Sequence, residues 1–154
     1  MLSRVADSIF WMARYVERAE NLARFIDVTL NLQIDTPGSA VAQWEPLVRA
    51  TGDDEKFKER FGEFNEQNVI RFLTFDRDNP NSIVAILFAA RENARSIRET
   101  ISSETWEQLN AFYHFVRDAA DTDEVQESPG DFFMEVKHYS HLLNGVTDST
   151  MSHN

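Results

Sequence analysis

Apolar residues in the first part of the chain recur at alternating steps of four and three positions, the spacing of one buried helix face. This row consists of Val5, Ile9, Met12, Val16, Ala19, Ala23, Ile26 and Leu30. A second, adjacent row consists of Trp11, Tyr15, Leu22, Phe25 and Leu32. Together they predict a long helix over about residues 4–33, with an apolar face wide enough to pack against more than one neighbour.

A second long row begins after the polar segment DRDNPNS (76–82), which has the composition of a turn. Its members are Ile83, Leu87, Ala90, Ala94, Ile97 and Ile101. With Asn79 as N-cap and Pro80 at the first helical position, the row predicts a helix over about 81–101. We expect the two long helices to be adjacent and antiparallel, because only they carry sustained rows of this spacing.

The rest of the chain predicts shorter helices. They are expected within 44–64, from Asn65 to Phe75, after a cap at Ser102 or Ser103, and after the acidic loop 121–130. No segment shows the strict alternation of apolar and polar residues that is typical of a strand. The predicted fold class is therefore all-α: a helical bundle with two long helices, several shorter ones and no sheet.

Two segments have the composition of boundaries. Residues 34–45, which include Thr36-Pro37-Gly38-Ser39, are predicted to be a linker. Gly145 is expected to stop the last helix, and residues 145–154 then offer cap residues with no helix after them. We therefore expect 1–154 to be the N-terminal part of a domain, whose tail leads to a second half. A half domain would leave part of the first helix uncovered, so we also expect self-association.

Charge and composition exclude several classes of protein. The 154 residues are 42% apolar and 27% charged, as in a globular domain, and carry a formal net charge of -11. A chain this acidic repels a phosphate backbone, so binding to nucleic acid is disfavoured. The absence of cysteine excludes disulfides and thiolate metal sites. Because we find neither a signal peptide nor an apolar run of about 20 residues, we expect no membrane span and a cytoplasmic location.

The doublet Glu17-Arg18 lies inside the first predicted helix. At about 100° per residue, Arg18 projects beside Trp11 on the margin of the apolar face, whereas Glu17 points towards Arg14. An arginine on this margin needs an anionic partner, since burying an unpaired charge is costly. We favour a half-buried Arg18 that pairs with a carboxylate of a neighbouring helix. The alternative is that Arg18 binds an anionic ligand or a protein partner.

A row of arginines borders the apolar face of the second long helix: Arg91, Arg95 and Arg98. Arginine can hold a carboxylate or a phosphate through two parallel hydrogen bonds. The interpretation that we favour is that the row meets the acidic edge of the first helix, formed by Glu17, Glu20 and Asp27. The alternative is that the row binds an anionic ligand, with Glu17 or Glu20 as a general base.

Glu135 and His138 form an E-x-x-H, the element with which carboxylate-bridged di-iron bundles aim two ligands at one metal. Such a site needs two of these elements and two further glutamates, whereas this chain has one element. The residues available to complete it are His114, His141, Glu17 and Glu20. Single matches arise often by chance on polar helix faces, so we expect no metal and no other cofactor.

Several segments resemble the alpha-E domain family, bacterial helical proteins named for an E-R doublet, here Glu17-Arg18. They are LSRVADSIFWMARYVERAENLARFIDV (2–28), FLTFDRDNPNSI (72–83), ARENARSIRETIS (90–102), ETWEQLN (104–110) and LLNGVTDSTMSHN (142–154). They occur in the order seen in the family and are spread from residue 2 to residue 154. The resemblance implies a helical fold, and family members are about twice this length, with a second half that follows STMSHN.

The resemblance implies no established reaction. Genes of this family sit beside genes for ATP-grasp peptide-ligase-like and transglutaminase-like proteins, which implies a part in making or modifying a peptide-like product. The motif residues carried onto this sequence are Glu17, Arg18, Asn21 and Arg24, with Arg91, Glu92, Asn93 and Arg95 from the second helix. Two hypotheses follow: a partner protein of such a system, or an enzyme or anionic-ligand-binding bundle that uses these residues together with Glu20 and Arg98.

Overall fold

A computed structural model describes residues 2–35 and 38–151 of the chain. The described residues form helices and connecting turns and contain no β-strand, which confirms the predicted all-α fold. The helices are α1 (Leu2–Asp35), α2 (Ala40–Thr51), α3 (Asp54–Arg60), α4 (Glu66–Ile70), α5 (Ile83–Ser96), α6 (Ser103–Ala119), α7 (Glu124–Glu127) and α8 (Pro129–Met151). A π-helical turn, Arg71–Phe75, follows α4 directly.

Four helices, α1, α5, α6 and α8, form a closed ring in which each packs against two others. The side-chain contacts between α1 and α8 run in opposite directions along the two helices. Lys137 of α8 pairs with Asp27, whereas Ser140, one turn further on, bonds Glu20, an earlier residue of α1. Helices α1 and α8 are therefore antiparallel.

The same reasoning gives the directions of the remaining helices. Phe88 of α5 contacts Tyr113 of α6, whereas the later Arg98 contacts the earlier Trp106, so α5 and α6 are antiparallel. Phe112 contacts Tyr139 and Phe115 contacts Phe132, which makes α6 and α8 antiparallel as well. Around the ring, α1 and α5 then also run in opposite directions. The prediction that the two long helices are adjacent and antiparallel is confirmed.

The predicted four-three rows form the core of the bundle. In α1 the buried members are Met12, Val16, Ala19, Ala23, Ile26 and Leu30. In α5 they are Ile83, Leu87, Ala90 and Ala94. Burying one large aliphatic side chain contributes about 1.5–3 kcal/mol, so these rows explain why the helices associate. The second row of α1 behaves differently, because Leu22 is buried while Trp11, Phe25 and Leu32 remain exposed.

The segment between α1 and α5 covers one side of the bundle and is more ordered than the sequence suggested. Phe57 stacks on Phe61 and Phe64 and meets the edge of Phe72, and Trp44 is fully buried. The predicted linker 34–45 was too long, since α1 reaches Asp35 and α2 begins at Ala40. Trp44 therefore lies within α2 and is buried there, whereas the prediction had placed it in the linker. Residues 36 and 37 lie outside the described part.

The turn before α5 has a different cap from the predicted one. Ser82 caps α5 by accepting a hydrogen bond from the backbone N–H of Ala85 at 3.2 Å. Asn79, the predicted cap, instead donates its amide N–H to the carbonyl of Phe72 at 3.0 Å. That carbonyl lies in the π-helical turn, whose wider spacing alters the ordinary helical bonding pattern. Helix α5 therefore begins at Ile83 instead of at Pro80.

The ends of α5 and α8 also differ from the predictions. Helix α5 ends at Ser96, because Ile97 leaves the helical conformation at φ -123° and ψ 29°. The next helix has its N-cap at Ser102, as predicted. Gly145 does not end α8, which continues to Met151. A helical glycine costs about 1 kcal/mol relative to alanine, which a long packed helix tolerates. Residues 152–154 of the predicted tail lie outside the described part.

Candidate functional site

Arg18 lies exposed on the outward side of α1 and donates from Nη2 to Oδ1 of Asn81 at 2.9 Å. Asn81 in turn donates from Nδ2 to Oδ2 of Asp53 at 2.8 Å. The prediction of a half-buried Arg18 bonded directly to a carboxylate was wrong. An amide stands between the two charges, and among the described residues Arg18 has no ion-pair partner.

Arg18 also lines an open groove of about 300 Å³ between α1, α2 and the start of α5. The polar side chains of the lining are Arg18, Asn21, Thr51 and Asn81. The apolar ones are Leu22, Phe25, Leu47, Ala50 and Ile86. We call this feature the Arg18 groove. It combines one cation, two amides and an apolar wall, which is the composition of a site for a small amphipathic anion.

Glu17, the other residue of the doublet, does not take part in the groove. It is exposed and pairs with Arg14, one turn earlier on α1, at 3.4 Å. The predicted neighbour relation between Glu17 and Arg14 is confirmed. An exposed pair of this kind contributes at most about 1 kcal/mol, so Glu17 has no strong structural role in the described fold.

Glu20 and Arg24 lie in a polar seam between α1 and α8. Glu20 Oε1 accepts a hydrogen bond from Ser140 Oγ at 3.0 Å and lies 3.1 Å from His141 Nε2. Arg24 Nη2 lies 3.4 Å from Glu20 Oε2 and 3.3 Å from His141 Nε2. Glu20 is mostly buried and has three polar neighbours, as a buried carboxylate requires. This seam holds α8 against α1.

The arginine row does not meet the acidic edge of α1, so the interpretation that we favoured from the sequence was wrong. Arg91 points to α6, where Nε donates to Asn110 Oδ1 at 2.7 Å. Its guanidinium lies between two rings, 5.7 Å from the centre of Trp106 and 5.4 Å from that of Tyr113. Arg98 lies 5.6 Å from the centre of Trp106. Arg91 and Arg98 thus contact α6, whereas Arg95 is exposed and its described partner is Glu92.

Arg117 lies 5.7 Å from the centre of Tyr113 and extends this arrangement. Cations and rings alternate in the order Arg98, Trp106, Arg91, Tyr113, Arg117. We call this set the cation–π ladder. Each contact of this type contributes about 0.5–1 kcal/mol when it is partly exposed. The ladder therefore gives Arg91 and Arg98 a structural role in holding this part of the chain against α6, and it does not include Arg95.

The remaining motif residues of α5 have weaker contacts. Glu92 lies 3.7 Å from Arg91 and 4.0 Å from Arg95. Asn93 accepts a hydrogen bond from Ser96 Oγ through its backbone carbonyl at 2.7 Å. The structure thus places six of the predicted site residues in three separate places: Arg18 and Asn21 in the Arg18 groove, Glu20 and Arg24 in the α1–α8 seam, and Arg91 and Arg98 in the cation–π ladder. Glu17, Glu92, Asn93 and Arg95 belong to none of the three.

The E-x-x-H of α8 lies on an exposed face. Glu135, His138 and His141 line an open depression of about 530 Å³ together with Met134, Lys137 and Arg24. Within residues 2–35 and 38–151, no three His, Cys, Asp or Glu side chains are close enough together to hold a metal ion. His114 lies on α6, where its ring contacts Tyr113. The helices of the described part also lack the length and hydrophobicity needed to cross a membrane.

Comparison with known proteins assigns the chain to a family. The family Alpha-E, described as a predicted alpha-helical domain with a conserved ER motif, matches residues 1–154. The chain belongs to the Alpha-E family. Its helical ring is consistent with that description, and Glu17-Arg18 on α1 is the doublet that the sequence resemblance assigned to the motif.

Related proteins extend well beyond this domain. An uncharacterised protein of Mycobacterium bovis is 32% identical over 117 residues, which cover 67% of this chain and 13% of the relative. An uncharacterised protein of Mycobacterium tuberculosis matches with the same identity and coverage. The matched segment is thus a small part of each relative. No solved structure matches the chain significantly.

Sequence reasoning missed two partners in these places. Asn81 was assigned only to a turn, and Ser140 was not linked to Glu20. His141 and Glu20 were grouped only as residues available to a metal site. The ladder did leave a signal in the sequence. Arg91 and Arg98 are seven residues apart, as are Trp106 and Tyr113, and equal spacing on two antiparallel helices allows the pairs to interleave.

Proposed function

We propose that this Alpha-E domain is a partner-binding component of a cytoplasmic system that makes or modifies peptides. Its partners in this proposal are ATP-grasp peptide-ligase-like and transglutaminase-like proteins. The observation that carries the proposal is an exposed apolar surface on α1. The class of partner rests on the family resemblance described above.

The surface consists of Phe25, Val28 and Leu32, which are 59%, 55% and 50% exposed. We call it the α1 apolar face. Its residues follow at steps of three and four, so they share one side of α1, opposite the buried Ile26 and Leu30. Large apolar side chains grouped on one exposed helix face are typical of protein-interaction sites. The spacing suits an amphipathic helix of a partner, whose apolar residues would follow the same steps.

The test is a binding measurement with purified proteins. ATP-grasp-like and transglutaminase-like proteins from the same host would each be titrated with the chain in a calorimeter. We expect at least one to bind, and Val28→Ser to weaken that binding about tenfold or more, because the centre of an interface carries most of its energy. The matched control is Val41→Ser, since Val41 is an exposed valine on α2. If neither protein binds, or if both variants bind like the parent chain, the proposal fails.

A second candidate function is the binding of a small anionic ligand, which the Arg18 groove favours. Arg18 has a fixed position and no carboxylate partner among the described residues. The enzymatic form of this candidate, with Glu17 or Glu20 as the base, has less support. Neither glutamate lines the groove, because one pairs with Arg14 and the other belongs to the α1–α8 seam.

A further inference from the structure

We propose that the Arg18 groove binds the carboxylate of an apolar amino-acid residue, as found at the C-terminus of a peptide. Arg18 would hold the carboxylate, and the apolar wall would hold the side chain. This inference goes beyond partner binding through the α1 apolar face and depends on different residues, apart from Phe25, which belongs to both surfaces.

Arg18 is positioned before any ligand arrives. Its Nη2 is fixed by Asn81, which is itself fixed by Asp53 and by a bond from its own backbone N–H to Asn79 Oδ1 at 3.0 Å. Asn79 is almost fully buried and also bonds the backbone of Phe72. The hydrogen bonds that position Arg18 therefore connect to the core of the protein. A guanidinium offers five N–H donors, and the described contacts use one. The remaining donors suit the two oxygens of a carboxylate.

The charge around the groove favours a singly charged anion over a phosphate. Arg18 is the sole cationic side chain of the lining within the described residues, and no carboxylate lines it. The chain as a whole carries a net charge of -11. A ligand with a second negative charge would find no second cation to pair with and would be repelled by the net negative charge of the chain. A carboxylate has one charge and matches the single guanidinium.

The remaining lining selects what is attached to the carboxylate. Leu47 and Ile86 form part of an apolar wall on the side of α2 and α5. Asn21 has no hydrogen-bond partner among the described residues, so its amide is free to pair with a peptide group. A volume of about 300 Å³ is at the small end of ligand sites, which fits one or two residues of a peptide.

The experiment is a calorimetric titration of the chain with N-acetyl-leucyl-leucine, with the same peptide as its C-terminal amide, and with inorganic phosphate. We expect the acid to bind, and the amide and phosphate to bind at least tenfold more weakly. Arg18→Gln should weaken binding of the acid about tenfold or more, because it removes a charge-assisted bond pair. The affinity of Arg18→Lys for the acid should lie between that of the parent chain and that of Arg18→Gln, since lysine keeps the charge but cannot form the bidentate arrangement.

Two further variants keep the test decisive. Arg14→Gln removes the same charge one turn earlier on α1, outside the groove lining, and should leave binding unchanged. Ala50→Trp fills the groove from α2 while Arg18 stays in place, and it should abolish binding even if Arg18→Gln proves unstable. Val28→Ser, which tests the α1 apolar face, should not affect binding of the peptide.

Three results would each overturn the proposal. They are equal binding of the acid and the amide, equal effects of Arg14→Gln and Arg18→Gln, and no binding of the acid to the parent chain.

Discussion

Arg18 and Asn81, which are 63 residues apart in the sequence, are joined by a hydrogen bond of 2.9 Å between the middle of α1 and the turn before α5. Because Asn81 also donates to Asp53 at 2.8 Å, its amide links a cation to an anion that the cation does not touch. The arginine of the E-R doublet is thus held by a hydrogen bond to an amide and not by a direct ion pair. This leaves most of its donors available at the surface of the groove.

Asn81→Ala should destabilise the fold and release Arg18. The variant loses the acceptor for Arg18 and the donor for Asp53, and two hydrogen bonds of this kind contribute about 1–2 kcal/mol together. The measurement is the free energy of unfolding from urea titration. Asn21→Ala is the matched control, since it removes an amide without described partners from the same groove and should cost less than about 0.5 kcal/mol. Equal effects of the two variants would contradict the linking role of Asn81.

The sequence predicted the helices of the bundle well, because apolar residues at helical spacing share one face of a helix and that face is buried. The four-three rows of α1 and α5 depend only on local periodicity, and their members are buried except Val5 and Ile9, which are partly buried. Register and orientation between helices are not local properties. The row with Arg91 and Arg98 lies beside the apolar face of α5, but only the packing decides whether that side meets α1 or α6.

The Arg18 groove was less predictable for a related reason. The hydrogen bond from Arg18 to Asn81 joins residues that are 63 positions apart, and local periodicity does not predict such a contact. The cap of α5 was predicted wrongly because the side chain of Asn79 bonds the carbonyl of Phe72, a tertiary contact, while Ser82 caps the helix. Helix α2 contributes Leu47, Ala50 and Thr51 to the groove, and the sequence alone does not show that this helix lies beside Arg18.

The cation–π ladder should show measurable coupling between Arg91 and Trp106. We expect Arg91→Met and Trp106→Leu each to lower the free energy of unfolding, and the double variant to lose less than the sum. The coupling energy should be about 0.5–1 kcal/mol, as for a partly exposed cation over a ring. The control is Arg95→Met with Trp106→Leu, because Arg95 has no described ring contact and should show no coupling. Coupling of the same size in both cycles would contradict the ladder.

The Lys137–Asp27 pair between α8 and α1 should behave as a mostly buried ion pair. Its atoms are 2.9 Å apart, and the side chains are 21% and 15% exposed. Lys137→Met alone should cost about 2 kcal/mol, because it leaves Asp27 without its partner. The double variant Lys137→Met with Asp27→Leu should recover much of that loss. Thermal unfolding checks both, and the exposed pair of Arg14 and Glu17 provides a control in which either change has little effect.

The α1 apolar face should make the isolated chain associate weakly with itself when no partner covers it. Phe25, Val28 and Leu32 expose half or more of their surface, and transferring such side chains out of water is favourable. Light scattering across a hundredfold range of protein concentration should therefore show a rising mean mass. Val28→Lys should suppress the rise, because a charge at the centre of the face would have to be desolvated. Val41→Lys adds the same charge to an exposed valine of α2 and should have little effect. A constant monomeric mass, or equal suppression by both variants, would show that this face does not drive association.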